Sequence, residues 1–449
     1  MNKFFITMLF LFISIVSGQQ KLSLTVEQAV QTGLENSKAL KSSQFKVVAA
    51  EAKTSETNAL GLPSVKLNAA YTKLSAVDPF KLNFPAFGTV QADNKTVLFN
   101  TVAAQLGDNI TNNYTLRATV QQPLFTGNKI SSAEDIAEYS YEATKQDFTK
   151  DKSELIYNVK NAYWNVYRAK EFKKVVDENV GQIKAHAADA ENMMKQGLLT
   201  NNDLLKVQVQ LSDALVRQID AKNNVLLSMI ALNNTLGLPL STEIEIFSQL
   251  QPNAVSSTDI DALVKKGIEN RPEILGMNAR LKASESNLSI ARSGWYPQIY
   301  LVGNYNYLRP NQRIFPTKDE FKGTWDVSIS VSYDLWNWNT SGSQATQAEA
   351  QLSQTEQALS QMKDGISLEV TQSYLSLQQS KERSEVAKQG VEQAEENYRV
   401  TNERYKKGLN VNSDLLDSEV ALLTAKLNYT QSLVDYELAA ARLTKSIGE

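Results

Sequence analysis

Four short stretches of the 449-residue chain alternate apolar and polar side chains with a period of two. In residues 64–73, Val65, Leu67, Ala69 and Tyr71 alternate with Ser64, Lys66, Asn68 and Thr72. In 114–122, Leu116, Ala118 and Val120 alternate with Thr115, Arg117, Thr119 and Gln121. Residues 298–308 carry Ile299, Leu301, Gly303 and Tyr305 at alternate positions. Residues 324–335 set Trp325, Val327, Ile329, Val331 and Tyr333 against Asp326, Ser328, Ser330 and Ser332. This period predicts four strands, each with an apolar and a polar face.

The stretches between them predict helices. Opening helices over Val26–Ala59 and Ile260–Ser293 run up to Pro63 and Pro297, where proline can begin a strand but cannot continue a helix. Long helices follow over Lys129–Gln196 and Thr340–Lys407. In the second of these, Ala345, Ala348, Leu352, Thr355, Leu359, Met362 and Ile366 step by three and four. Two successive steps of four at Ile366 and Val370 mark a stutter, which locally alters supercoiling. At 1.5 Å per residue such a helix spans roughly 100 Å, too long for an ordinary globular core. Return helices over Asp203–Leu236 and Asp414–Ile447 are half as long. One opening and one return helix together match one long helix, which predicts two equal columns in each half of the chain.

The halves align. GLENSKAL at Gly33 falls on GIENRPEI at Gly267, a shift of 234, and Pro63 falls on Pro297. Further along, KQGLLTNNDLL at Lys195 falls on KKGLNVNSDLL at Lys406, a shift of 211. The shifts differ by 23, which places the asymmetry in the loop after Leu74 compared with that after Leu308. The expected organisation is a first repeat over 24–237, a linker over 238–257 and a second repeat over 258–448. The tips between long and return helices lie near 197–202 and 408–413.

Four strands make an open sheet with bare edges, and in a bilayer every backbone polar group must be paired, so such a sheet closes with other copies. Two copies give eight strands, a width that side chains fill; three give twelve and leave a lumen. Aromatic residues flank the strands on both sides: Phe125, Trp295, Tyr296, Trp336 and Trp338 at one end, Tyr71, Tyr114, Tyr305, Tyr307 and Trp325 at the other. Membrane-interface belts have this form. A lipid-facing apolar stripe and a water-facing polar one are therefore expected.

Composition adds a compartment. Residues 1–18 read as a secretory signal peptide, with Lys3 at the start, an apolar run from Phe4 to Val16 and small residues at Ser17 and Gly18. The chain has no cysteine, which excludes disulfides, thiolate metal sites and a thiol nucleophile. The net charge of −3 offers nothing to nucleic acid. His186 is the only histidine and reads as a surface or packing residue, and no catalytic set, metal site or cofactor is called for. Asn-x-Thr triplets at Asn94, Asn109 and Asn113 are weak matches. The loop from Ser75 to Asn113, rich in phenylalanine, reads as a cover for the outer mouth.

In this order, LTVEQAVQTGLENSKAL, the Pro63 and Pro297 switches and the paired tips KQGLLTNNDLL and RYKKGLNVNSDLL resemble the TolC-like outer-membrane efflux protein family, from about Leu24 to Gly448. The resemblance implies a mainly α homotrimer with a twelve-stranded transmembrane β-barrel continuous with a long α-helical periplasmic barrel. It also implies the exit duct of a tripartite efflux or type I secretion system. Partners would be the lipid bilayer, a periplasmic adaptor and an inner-membrane transporter. Tyr405, Asp203, Asp414 and Asp417 fall where the family carries residues that constrict and line the periplasmic entrance. Asn410 falls on an arginine that helps latch the closed state, so a charge-based latch is not expected there.

Asp414 and Asp417, three apart on a helix, share a face, and a threefold axis would turn them into two carboxylate rings. An equal reading of Asp203 and Asp414 is first-turn placement after a cap such as Asn202 or Ser413, where an acid complements the helix dipole. Gly197 with Leu198 and Gly408 with Leu409 head the tips; glycine ends the helix there, and an exposed leucine invites an adaptor. A soluble periplasmic adaptor or coiled-coil scaffold would share the hairpins and the leader but lack strands with a lipid-facing stripe.

Overall fold

The computed structural model describes residues 22–76, 80–86, 100–106, 110–247, 259–311, 313 and 317–449. The expected signal peptide, half of the linker, Asn94, Asn109 and much of the 75–113 loop lie outside them. In chain order the first half contains β1 (Leu22–Leu24), α1 (Val26–Asn36), α2 (Lys38–Asn58), β2 (Ser64–Lys73), β3 (Phe80–Ala86), β4 (Asn100–Leu106), β5 (Asn112–Phe125), α3 (Lys129–Lys195) and α4 (Asn201–Leu236). The second contains β6 (Ile244–Ile246), α5 (Ile260–Asn270), α6 (Pro272–Arg292), β7 (Gln298–Arg309), β8 (Lys322–Ser332), α7 (Thr340–Lys406) and α8 (Asn412–Ser446). The chain is mostly helical. No helix among the described residues is long and apolar enough to cross a membrane.

Each expected opening helix is two helices. α1 stops at Ser37, which leaves the helical region at ψ 115° while its hydroxyl accepts from the Leu40 amide and starts α2. α5 stops at Arg271, at ψ 128°, because Pro272 disfavours helical geometry in the residue before it. The expectation of one unbroken helix in each half is corrected at these two positions.

The chain divides into two compact units whose boundaries fall inside helices. The first holds Met1–Val48, Ala143–Asn278 and Ala358–Glu449. One of its cores gathers Leu24, Ala29, Val159, Tyr163, Trp164, Val166, Leu232, Leu236, Ile244 and Val434. β1 and β6 pair in parallel over this core, and the Tyr163 hydroxyl donates to the Leu24 carbonyl at 3.0 Å. These three-residue strands gave no signal by period. Further along the helices, Val176, Val180, Ile183, Ala214, Ala221 and Leu423 form a second core, and Ala190, Leu204, Val207 and Leu416 a third next to the tips. The stepped stripe of α7 is the side it buries: Ala345 and Ala348 in the second unit, and Leu359, Ile366 and Val370 in the first, are all buried.

The second unit, Ala49–Glu142 and Ala279–Gln357, carries a four-stranded antiparallel sheet in the order β2-β5-β7-β8. Strands lie within two or three residues of the positions their alternation predicts. Within the 75–113 loop, β3 and β4 pair as a separate antiparallel two-stranded sheet.

Candidate functional site

In the second unit the register aligns residues of like chemistry into rows. Val65 stands opposite Val120, Val120 opposite Gly303 and Gly303 opposite Val327. The next row on the same face runs Leu67, Ala118, Tyr305 and Trp325. This apolar face is bare: Val65, Leu67, Trp325, Val327 and Ile329 are all exposed, Trp325 at 71%. Alternation places every intervening residue on the opposite face, where the rows run Asn68, Arg117, Asn306 and Thr324, and Lys66, Thr119, Asn304 and Asp326.

Polar side chains on that second face are tied across strands. Arg117 Nε donates to Asn306 Oδ1 at 2.7 Å and Thr119 Oγ1 to Asn304 Oδ1 at 2.9 Å. Both asparagines then donate to the Asp326 carboxylate, at 2.8 and 3.2 Å. A soluble sheet turns its apolar face to a core and its polar face to water. Here the polar face is internally bonded, and among the described residues nothing covers the apolar face. Among the described residues β2 and β8 each pair on one side only, so the sheet is open at both edges.

At the other candidate region, in the first unit, the tips close with the same geometry. Gly197 and Gly408 have φ of +75° and +69°, a left-handed turn that costs glycine no steric strain. Leu198 N donates to the Met193 carbonyl and Gly197 N to that of Met194; Leu409 N donates to that of Arg404 and Gly408 N to that of Tyr405, all at 2.9 Å. These are Schellman ends. Leu198 and Leu409 project beyond them, 69% and 65% exposed.

The expected caps are corrected. Thr200 caps α4: its hydroxyl accepts from Asp203 N at 3.2 Å and donates to Asp203 Oδ2 at 2.6 Å. That hydroxyl holds the Asp203 carboxyl below the ordinary carboxylate range, against its partial desolvation. Val411 precedes α8 without any side-chain cap, so neither Asn202 nor Ser413 caps a helix.

Asp414 and Asp417 are both exposed, Asp414 in the first turn of α8, and Asn410 is half-buried. Tyr405 is not with them at the surface. It is buried, and burial first, then the charges of Asp189, Asp203 and Glu419, raise its phenol above the usual range. Its ring stands edge-on to His186 at 5.2 Å. Of its two readings, surface or packing, His186 takes the second: it is buried, and it contacts Asn412 and Glu419. These partners lie more than 200 residues away in sequence, and nothing in the local pattern around His186 announces them.

The sequence profile described as outer membrane efflux protein matches residues 29–238 and 263–449. Toxin and drug export protein A of Aggregatibacter actinomycetemcomitans is 24% identical over 258 residues, 55% of this chain and 54% of that protein. The alignment thus spans about half the length of that relative. Outer membrane protein TolC of Vibrio cholerae is 23% identical over 315 residues, 70% of this chain and 72% of its own. The crystal structure of the outer membrane protein VceC of Vibrio cholerae superposes with a TM-score of 0.76 at 17% identity, covering 94% of this chain and 96% of that one. That of the CmeC outer membrane channel of Campylobacter jejuni superposes with 0.77 at 15%, covering 94% and 85%. The fold is that of these TolC-like channels. With a profile match that takes in both halves of the sequence, the chain belongs to the outer membrane efflux protein family.

Proposed function

We propose that three copies of this chain close their four-stranded sheets into a twelve-stranded barrel in the outer membrane of a Gram-negative bacterium. Their helices continue it as a periplasmic tunnel. The assembly conducts substrates passively from an inner-membrane transporter, through a periplasmic adaptor, to the outside, as the exit duct of a tripartite efflux or type I secretion system. No bond is made or broken. Residues 1–18 direct export, and repeats over 24–237 and 258–448 supply two strands and two columns each. Asp414, Asp417, Asp203 and Tyr405 form the periplasmic entrance, with Asn410 in place of a cationic latch, and Leu198 and Leu409 dock the adaptor.

The observation that carries this reading is the open sheet whose bare face is apolar in register across all four strands. Lipid covers such a face, and only closure with further copies pairs its edges. Equal segment lengths support the duplication: α1 and α5 have 11 residues each, α2 and α6 have 21, and α3 and α7 have 67.

The test is extraction and conductance. The protein should leave the outer membrane only with detergent, run as a heat-sensitive trimer, and form channels in planar bilayers. Asp414→Asn with Asp417→Asn should change single-channel conductance and weaken block by divalent cations. A water-soluble monomer would refute the channel; unchanged recordings would refute the entrance assignment.

A further inference from the structure

His186 on α3 and Glu419 on α8 face each other in a dry site, with 3% and 2% of their side chains exposed. Nδ1 of His186 lies 3.6 Å from Oε1 of Glu419, while Nε2 lies 2.8 Å from Oδ1 of Asn412. The orientation of the Asn412 amide is dictated by a third element. The Asp203 backbone carbonyl on α4 can only accept, and Asn412 Nδ2 donates to it at 3.3 Å. Asn412 therefore turns its oxygen to the imidazole, and Nε2 must carry a hydrogen. In a neutral imidazole so protonated, Nδ1 is a lone pair. It faces a carboxylate oxygen, which is a lone pair as well. Apart from this approach Nδ1 has no hydrogen-bond partner among the described residues, and neither has Oε2 of Glu419 or the Tyr405 hydroxyl.

We propose that His186 and Glu419 share one proton, and that this proton makes them a clasp between the two hairpin tips, α3 with α4 and α7 with α8. The proposal deepens the assignment of these tips as the channel entrance and rests on it for its consequence. With the proton on either atom, two facing acceptors become a donor and an acceptor, and the buried pair is neutral overall. Asn412, the first residue of α8, then bridges His186 and the Asp203 carbonyl, and the Tyr405 ring packs on the imidazole. Without the proton, Glu419 is a buried charge with no counter-ion, which a protein relieves by letting water in. The clasp is closed on the acid side and is released as rising pH removes the proton. His186 is a positioning residue: it acts on the entrance through Asn412 and Tyr405.

The other titratable groups around the pair come from α7, α4 and α3. On α7, burial and then Glu419 raise the Tyr398 phenol, as they do that of Tyr405 beside Asp189 and Asp203, so both stay protonated. On α4, Asp203 stays ionised under its Thr200 hydrogen bond, with Lys206 at 3.8 Å. On α3, Asp189 is exposed to water.

The test is amide-exchange protection at the start of α8 in the full-length channel, compared between about pH 6 and about pH 9. Wild-type protection should fall by about tenfold or more across this range. In Glu419→Gln the amide N–H donates to Nδ1 without an added proton, so protection should hold at both values. His186→Gln strands the carboxylate and should lower protection at both. A Glu419→Gln protein that keeps the wild-type pH response overturns the clasp, whether or not His186→Gln folds. Bilayer recordings separate the two readings. Protection that responds to pH only with Glu419 present, beside a conductance that ignores pH, keeps the clasp and removes the entrance. A conductance that changes with Asp414→Asn and Asp417→Asn, beside protection indifferent to Glu419→Gln, does the reverse.

Discussion

Gly33 of α1 meets Val159 of α3 so closely that the Cβ glycine lacks would stand 2.8 Å from Val159 Cγ2. The counterpart in the second half is Gly267 of α5 on Val370 of α7, where the distance would be 3.1 Å. Both valines are fully buried, so neither can swing aside without opening a core. Gly33→Ala is expected to cost about 1–3 kcal/mol of overpacking, offset by about 1 kcal/mol of gained helix propensity. Adding Val159→Ala makes room for the methyl, so the double variant should be more stable than the sum of the two losses. Gly267→Ala should not be rescued as well by Val370→Ala, because the Ser446 carbonyl also lies 3.1 Å from the new Cβ and cannot be removed. Denaturant midpoints for the two cycles check this; strict additivity at Gly33 and Val159 would refute the close approach.

Arg271 sits at the break between α5 and α6, buried, and its guanidinium forks onto Glu273, with Nη2 to Oε1 at 2.9 Å and Nε to Oε2 at 3.2 Å. Its Nη1 reaches Glu369 on α7. Arg271→Met leaves two partly buried carboxylates without this partner and is expected to cost about 2–3 kcal/mol, below the figure for fully buried pairs because both carboxylates keep some water. Arg271→Lys should recover only part, since an ammonium cannot make the fork. The Glu273 carboxyl is pushed up by burial but held below the ordinary range overall by Arg271. A carboxyl lowered on folding adds stability above its unfolded pKa, roughly 4.3, and loses it as pH falls through the folded value. The gap between wild type and Arg271→Met should therefore narrow on acidification. An equal gap at about pH 3 and about pH 7 would rule this account out.

What could be read from the chain were features whose signal is local. The strands announced themselves because one face differs from the other at every second residue, and the tips because a glycine separates two stretches of helical spacing. Pro272 was a local signal for the break at Arg271, and Ser37 occupies the aligned position in the first half, as a residue able to cap. Both were submerged in a pattern that stays apolar at helical spacing on either side. The His186 cluster was illegible for a different reason. Its members come from positions 186, 203, 405, 412 and 419, and only the packing of hairpins brings them together. Likewise β1 and β6, three residues each, are strands only because they find one another over a finished core.

The apolar rows of the sheet give a prediction with opposite outcomes at adjacent residues. Val327 lies on the bare apolar face, 65% exposed, in the row with Val65, Val120 and Gly303. Ser328, the next residue, lies on the other face opposite Val302, in the row that continues through Gln121 to Ser64. In water the two exposed sites would accept a lysine equally well. In a bilayer a lysine on the lipid-facing side of a mid-membrane strand costs about 2–4 kcal/mol, while one on the lumen side stays hydrated. Val327→Lys is therefore expected to reduce the heat-sensitive trimer in outer-membrane extracts, and Ser328→Lys to leave its amount unchanged. Gel analysis of unheated membranes reads both. Equal yields of the two variants would mean that the Val327 face does not meet lipid, and the apolar rows would then need a protein cover instead.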